Sequence, residues 1–410
     1  MSSPSADVLD AAGERVETPS MTDSLREELL ALQKAGLRRV LHPVHQRRAG
    51  TVLFDGERVA DFASNDYLGL AADHRVARAA SATLQAEGTG AAAARLISGH
   101  HPVHEALERE LARFKKTEAA LLFPSGYMAN IGALQALVNE GDVIYSDEYN
   151  HASLIDGCRL SRADVRIFPH RDLDALAAIM SNDRHNYRRA LIVVEGVFSM
   201  DGDFFPLDGL VDLAKRFGAW TYVDDAHGTG VVGANGRGTV EHFGVDGQID
   251  VIVGTLGKAL GTVGAYVAGS RILVELLISR ARSFIFTTGT PPALAAASLE
   301  ALRIAEVEGW RREAVRERAT QLRDRLEAAA REPTGPHDGH IVPVTVGDPM
   351  RTMQLVGDMR KRGFLIGGVR PPTVPAGTSR LRISVSAMHP PELVDALATH
   401  LLDAMRAVYG

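Results

Sequence analysis

Apolar and polar positions change period along this chain, and the changes divide it. Between Met21 and Leu41 the apolar residues Leu25, Leu29, Leu32, Leu37 and Val40 recur at roughly helical spacing, which predicts an N-terminal helix with Arg38 and Arg39 near its end. Two short strands are predicted over residues 51–54 and 59–62, around a turn at Asp55-Gly56. From about His74 helix and strand patterns alternate. Helices are predicted over 104–115, 127–138, 151–160 and 207–217, and strands over 119–123, 142–145, 191–195, 221–224 and 251–253. Alternation of this kind predicts an α/β fold: a mostly parallel sheet covered by helices on both faces. Pro291-Pro292 opens a helical tract to about Glu332, and a loop is expected over 333–339. The remainder reads as a small α+β unit with strands at 341–346, 364–366 and 380–385 and helices at 350–362 and 391–409. The predicted organisation is a disordered tail (1–20), an N-terminal helix with short strands (21–70), a large domain (71–295), and a connecting helix with a small C-terminal domain (296–410).

Ligands of such sheets bind beyond the carboxyl ends of the strands. Four loops share that position here, at residues 123–126, 195–196, 224–227 and 255–258. The last follows the β-branched run Val251, Ile252, Val253 and holds one lysine, Lys258, between Gly257 and Gly261. An amine at the end of a buried strand is poorly solvated, so its charged form is disfavoured. Such a lysine can be neutral at working pH and can form a Schiff base. The flanking glycines are expected to let a planar cofactor approach the backbone. A phosphate-binding P-loop is excluded, because the positions that motif requires hold Ile252 and Ala259.

The other loops add complementary groups. Asp224 ends an apolar strand, where a carboxylate needs a partner such as a protonated pyridine nitrogen. His227 could hydrogen-bond a phenolic oxygen. His151 opens a helix, from which its ring could lie flat on an aromatic cofactor. Ser125-Gly126 precedes a helix and offers free N–H groups to a phosphate. Together these describe pyridoxal 5'-phosphate held by its phosphate, ring nitrogen, ring face and aldehyde carbon. Gly228-Thr-Gly-Val-Val-Gly233 matches a dinucleotide fingerprint, but the glycine-rich residues that follow would not form the required helix. His100, His101 and His104 lack an evident ligand set, so no metal is expected.

Composition narrows the class. The chain has 410 residues, 45% hydrophobic and 23% charged, with a net charge of −6, which gives no reason to expect nucleic acid or an anionic membrane as partner. Its single cysteine, Cys158, excludes an intrachain disulfide framework. No apolar run approaches the ~20 residues needed to span a bilayer. The acidic, polar start lacks the features of a signal or transit peptide, so the cytoplasm is the expected compartment.

Several separated motifs, in order, resemble the α-oxoamine synthases, a branch of the fold-type I pyridoxal-phosphate transferases. They are Ser64-Asn-Asp-Tyr-Leu-Gly-Leu70, Arg95-Leu-Ile-Ser-Gly99, Ser146-Asp-Glu-Tyr-Asn-His-Ala-Ser153, Glu195-Gly-Val-Phe-Ser-Met-Asp-Gly202, Val223-Asp-Asp-Ala-His-Gly-Thr-Gly230 and Gly254-Thr-Leu-Gly-Lys258. The resemblance implies that Lys258 carries the cofactor and moves the proton, and that Asp224 pairs with the ring nitrogen. It implies that His227 and Ser199 bond the ring hydroxyl and that His151 stacks on the ring. Ser125, Gly126, Tyr127 and Thr255 would address the phosphate, with Thr288 reaching it from a partner subunit of a homodimer. Arg382 would bind the amino-acid carboxylate beside Asn65. The segment from Val369 to Ile383 resembles the biotin-pathway branch, which condenses L-alanine with a pimeloyl thioester, on coenzyme A or a carrier protein, with loss of carbon dioxide. On that reading Arg370 could receive the distal carboxylate. Residues 254–261 look as much like the glycine-using branch that makes 2-amino-3-oxobutyrate. A 5-aminolevulinate-type synthase, or an aminotransferase on the same fold that uses no thioester, would also be compatible with the cofactor motifs.

Overall fold

The computed structural model describes residues 20–329 and 339–409, together with one antiparallel pair of two-residue strands, Val8–Leu9 and Arg15–Val16. The rest of the expected tail and the loop at 333–338 lie outside the described residues.

The centre is a seven-stranded sheet. In chain order its strands are β1 (Ala119–Phe123), β2 (Val143–Asp147), β3 (Asp164–Phe168), β4 (Ala190–Glu195), β5 (Trp220–Asp224), β6 (Val251–Thr255) and β7 (Ala265–Gly269). Their spatial order is β1-β7-β6-β5-β4-β2-β3. Only β7 runs against its neighbours. The sequence pattern missed β3 and β7. Strand β7 is short and bounded by glycines, and β3 is an edge strand with a partly exposed, charged face.

Alternate residues of the central strands serve opposite faces. Val251 and Val253 join the apolar layer formed with helices Gly126–Leu137, Ala152–Ser161 and Arg271–Arg280. Ile252, between them, joins the layer under Leu173–Asp183 and Leu207–Phe217. Each such side chain contributes about 1.5–3 kcal/mol on burial, and a strand covered on both faces must be apolar throughout. That is why β4 and β6 read as continuous apolar runs.

The predicted tract after Pro291 is two helices, Pro292–Val307 and Trp310–Glu327, separated at Glu308-Gly309. The C-terminal unit holds the antiparallel strands Ile341–Gly347, Ser379–Ser384 and Gly367–Val369 under helices Pro349–Lys361 and Pro391–Tyr409. The strand expected at 364–366 is divided. Phe364–Leu365 pairs instead with Glu57–Asp61, in a four-stranded sheet completed by Thr51–Phe54 and Val44–Arg48. Strands Val44–Arg48, Thr51–Phe54 and Glu57–Asp61 are thereby joined to the C-terminal unit, and the residues that follow bond Arg382 and Ser386 on one side and His227 on the other. The N-terminal helix is shorter than expected, Met21–Lys34, and none of its side chains is buried.

Candidate active site

Parallel pairing sets the floor of the site. Glu195 and Asp224 end adjacent strands in register, so their side chains leave the sheet on the same side. Asp224 is buried, and its carboxylate is oriented by two donors: Asn130 Nδ2 at 2.7 Å and the Ala226 amide at 3.0 Å. Asn130 is fixed in turn, accepting from the Tyr222 hydroxyl (2.8 Å) and donating to Ser153 Oγ (2.9 Å). Glu195 is buried beside it. Burial first, and the Asp224 charge second, push its carboxyl well above the usual range.

Lys258 follows β6 in a tight turn and is half-buried. Desolvation brings its ammonium down to about 8, against the opposing pull of Asp224 and Glu195. Two glycines near it answer to protein neighbours, whereas a Cβ on Gly257 would meet nothing closer than the Thr262 carbonyl at 3.5 Å. A Cβ on Gly254 would stand 2.3 Å from the Tyr266 ring, and Gly261 has φ +65 with Ala71 N 2.3 Å from its missing Cβ. Gly228 and Gly238 make room for Asp225, whose oxygens lie 2.1 Å from a Cβ at Gly228 and 1.6 Å from one at Gly238, while Gly233 makes room for Glu241.

His227 is buried, and its Nδ1 is 2.7 Å from the Tyr67 hydroxyl. Burial, then the positive charges of Lys258 and Arg382, hold its ring neutral, well below its ordinary value. Tyr67 also donates to Asn65 Oδ1 (3.1 Å), and His340 meets its ring edge-on at 4.3 Å. Arg382 completes this group. Its Nη2 donates to Asn65 Oδ1 (3.2 Å), its Nε to the Ser199 carbonyl (2.5 Å) and its Nη1 to Ser384 Oγ (2.9 Å). Arg382 and Asn65, 317 positions apart, are thus brought together as expected.

His151 caps helix Ala152–Ser161 through Nδ1, which accepts from the Ser153 amide at 3.2 Å. Desolvation lowers the ring's pKa, with Asp224 opposing and Lys258 assisting. Ser125 caps helix Gly126–Leu137, its Oγ accepting from Met128 N at 3.2 Å. The Tyr127 ring lies 6.5 Å from that of His151, and its hydroxyl bonds Asp156. The Thr255 hydroxyl is already engaged, donating to the Gly264 carbonyl (3.1 Å) and accepting from the Gly257 amide (3.2 Å). Thr288 is exposed and pairs as an isolated bridge with Ala94. Arg370 is half-buried, with Nη2 3.4 Å from the Arg38 carbonyl. A cavity of about 400 Å³ beside Ser199 is lined by Tyr149, Phe198, Asp201, Arg380 and the Pro372–Pro375 segment, but not by Arg370. Of the three histidines weighed for a metal, His100 faces Glu105, His101 faces Glu87 and His104 meets the Thr290 carbonyl, so they point to separate partners.

Sequence reasoning assigned nothing to Tyr67, Asn130 or Glu195. Tyr67 and Glu195 lie inside motifs already singled out, which was the available signal. Asn130 lies within an apolar helix, Gly126–Leu137, where one polar residue at a buried position is the only trace.

The arrangement fits pyridoxal phosphate. An oriented carboxylate, an amine lowered to about 8, a helix N-terminus and two imidazoles converge, each suited to a different part of that molecule. A family model described as aminotransferase class I and II matches residues 57–401. Among curated proteins, 8-amino-7-oxononanoate synthase of Symbiobacterium thermophilum is 46% identical, over 92% of this chain and 96% of its own length. The protein of the same name from Geobacter sulfurreducens is 49% identical, over 90% and 94%. Among solved structures, a serine palmitoyltransferase from S. paucimobilis with bound PLP and myriocin superposes with a TM-score of 0.90 at 31% identity, covering 95% of this chain and 98% of that one. An 8-amino-7-oxononanoate synthase from Francisella tularensis gives 0.75 at 28% identity, covering 86% and 99%.

Proposed function

Because this chain belongs to the aminotransferase class I and II family of pyridoxal-phosphate enzymes, we propose that it condenses L-alanine with a pimeloyl thioester. The products are 8-amino-7-oxononanoate, carbon dioxide and the free thiol, a step of biotin biosynthesis. The observation that carries this reading is the meeting of Lys258, Asp224 and the Arg382–Asn65 pair at the carboxyl ends of one sheet.

When bound, pyridoxal phosphate supplies an electron sink for negative charge at the amino acid's Cα. The chain's residues supply the rest. Arg382 binds the alanine carboxylate in a charge-assisted hydrogen bond and, with Asn65, orients the Cα–H bond. Lys258, with an ammonium pKa of about 8, is a base matched to neutral pH and removes the Cα proton. Asp224, held in place by Asn130 and the Ala226 amide, would keep the ring nitrogen protonated. His227, neutral and bonded to Tyr67, and the Ser199 hydroxyl would hold the ring oxygen. His151 would hold the ring, and the N-terminus of Gly126–Leu137 with Ser125 and Tyr127 would hold the phosphate. The acyl chain enters the cavity between Phe198–Asp201 and Pro372–Pro375, whose charged lining is the Arg380–Asp201 pair and Glu148. The working unit is a homodimer in the cytoplasm. The exposed Leu25, Leu29 and Leu32 on helix Met21–Lys34, and the exposed Phe286 near Thr288, call for a second copy to cover them. Among the described residues no helix is long and apolar enough to cross a membrane.

The test is product mass spectrometry with alanine or glycine against acetyl, succinyl and pimeloyl thioesters. Formation of 8-amino-7-oxononanoate from alanine and the pimeloyl donor supports the reading. A glycine product with acetyl or succinyl donors moves the chain to a sister activity. Pyruvate released without any thioester would make it an aminotransferase.

A further inference from the structure

We propose that His170 is a positioning residue for this reaction: its imidazolium ties the loop that carries His151 to the loop that carries Ser199 and so fixes the two sides of the cofactor site. The proposal rests on the reading above that these two residues face the cofactor.

His170 follows β3, and both of its ring nitrogens meet carboxylates. Nδ1 is 2.9 Å from Asp147 Oδ1, and Nε2 is 2.8 Å from Asp203 Oδ2. An ionised carboxylate only accepts hydrogen bonds, so both nitrogens must donate, and only the imidazolium can do so. Burial works against that charge, but the bonds to Asp147 and Asp203 outweigh it and carry the ring up to about 9. The ring is stacked on Tyr149 at 4.6 Å and met edge-on by Phe198 at 4.4 Å.

The charged groups around it lie at the end of β2, on the two loops and on its own loop, with Arg380 reaching in from strand Ser379–Ser384. Asp147 also accepts from the Tyr149 amide (2.8 Å) and the Arg171 amide (2.9 Å). Glu148 accepts from the His170 amide at 2.9 Å, and Arg171 Nη1 reaches Asp203 at 3.2 Å. Asp201, on the second loop, is paired with Arg380.

Asp147 stands four residues before His151, and Asp203 four residues after Ser199. The Ser199 carbonyl accepts from Arg382 Nε, so the second loop also seats the guanidinium proposed to bind the amino acid. Tyr149 and Phe198, the two rings in contact with His170, line the cavity proposed for the acyl chain. One cation thus sets the spacing of groups around the cofactor and both substrates. The folded-state value is raised, so the tie is complete below the ordinary histidine value. It is lost as pH rises through about 9, when one of the two donors disappears.

The experiment uses the holoenzyme. Long-range proton–nitrogen NMR on imidazole-labelled protein should show both His170 nitrogens protonated at about pH 7.5, titrating near 9. His170→Gln retains one donor, and His170→Phe fills the space between Tyr149 and Phe198 with none. Both variants should bind cofactor and keep its visible absorption. Both should show at least a roughly tenfold higher KM for the thioester, and both should lose an alkaline limb near pH 9 that the parent shows in kcat/KM. A neutral His170 ring at about pH 7.5 overturns the proposal. So do variants with the parent's KM and alkaline limb. If no thioester is turned over, the proposed function fails, while the NMR titration and the visible circular dichroism of the bound cofactor still decide the role of His170. Unchanged dichroism in both variants would then count against it.

Discussion

Replacing Asp224 with asparagine removes one charge and keeps the shape, and the structure sets what that costs. The carboxylate now accepts from two donors, Asn130 Nδ2 and the Ala226 amide. An asparagine can offer its oxygen to one of them and must turn its own NH2 toward the other. Asn130 cannot flip to help, because its oxygen would then no longer accept from the Tyr222 hydroxyl. One buried donor is left unsatisfied, a cost of about 1–3 kcal/mol to folding. The catalytic cost is larger. Two unit charges about 4 Å apart at an effective dielectric near 20 attract by about 4 kcal/mol, and losing that hold on a protonated ring nitrogen corresponds to roughly three decades of rate. The assay is exchange of the alanine Cα proton with deuterated solvent, followed by NMR on enzyme saturated with cofactor, with no thioester present. Asp224→Asn should slow exchange by ~10²–10⁴-fold while the melting temperature falls by only a few degrees. Exchange within about threefold of the parent would remove Asp224 from the role. A larger stability loss with normal exchange would make it a purely structural residue.

Four other outcomes are expected. Borohydride reduction of the holoenzyme should attach the cofactor to Lys258, seen by peptide mass spectrometry, and Lys258→Ala should abolish turnover; label on another lysine refutes the assignment. Arg382→Gln should raise the alanine KM by about 10- to 100-fold, since one charge-assisted hydrogen bond contributes about 1.5–3 kcal/mol, and should disturb the thioester KM much less; equal effects on both would place Arg382 elsewhere. Lys115→Met should destabilise the fold by about 3–5 kcal/mol in urea titration, because it strands the buried Asp225 charge that Lys115 Nζ meets at 2.8 Å; a loss below about 1 kcal/mol would mean that Asp225 finds another partner. Sedimentation should give a dimer, and Leu25→Glu combined with Leu29→Glu should shift it toward monomer; a monomeric parent refutes the shared interface.

Much of the candidate site was legible because its groups lie next to the strands that position them. Lys258 follows three β-branched residues, Asp224 follows Tyr222-Val223, and each strand announces itself by the double burial that makes it apolar. The Arg382–Asn65 contact was legible only through resemblance, since no local pattern relates positions 317 apart that meet only in the folded chain. Strand β7 escaped because so short a run, bounded by glycines, carries too little periodicity. The split of residues 364–369 between two sheets escaped because pairing partners are a tertiary choice. His170 escaped for a different reason. A histidine in Phe-Pro-His-Arg-Asp reads as a surface turn, and its two carboxylate partners come from other loops.

The adjacent pair Asp224-Asp225 shows how one local pattern yields two roles. Strand alternation turns successive side chains to opposite sides, so only one of the two can face the ligand. Asp224 takes the side of Glu195 and Lys258. Asp225 turns into the protein, where Lys115 Nζ, the Thr239 hydroxyl (2.8 Å) and the Thr239 amide (3.1 Å) surround it. Its burial requires the glycines at 228 and 238 and a lysine from the distant helix Pro102–Lys115. That arrangement pins the turn leading to His227, which in turn must meet Tyr67 at 2.7 Å. The carboxylate proposed to serve the chemistry is thus followed in the chain by a second one, Asp225, that is turned into the protein. Of the dinucleotide-like glycines, Gly228 packs on that second carboxylate, whereas Gly230 lies against Ala259 and Leu68 and Gly233 against Glu241.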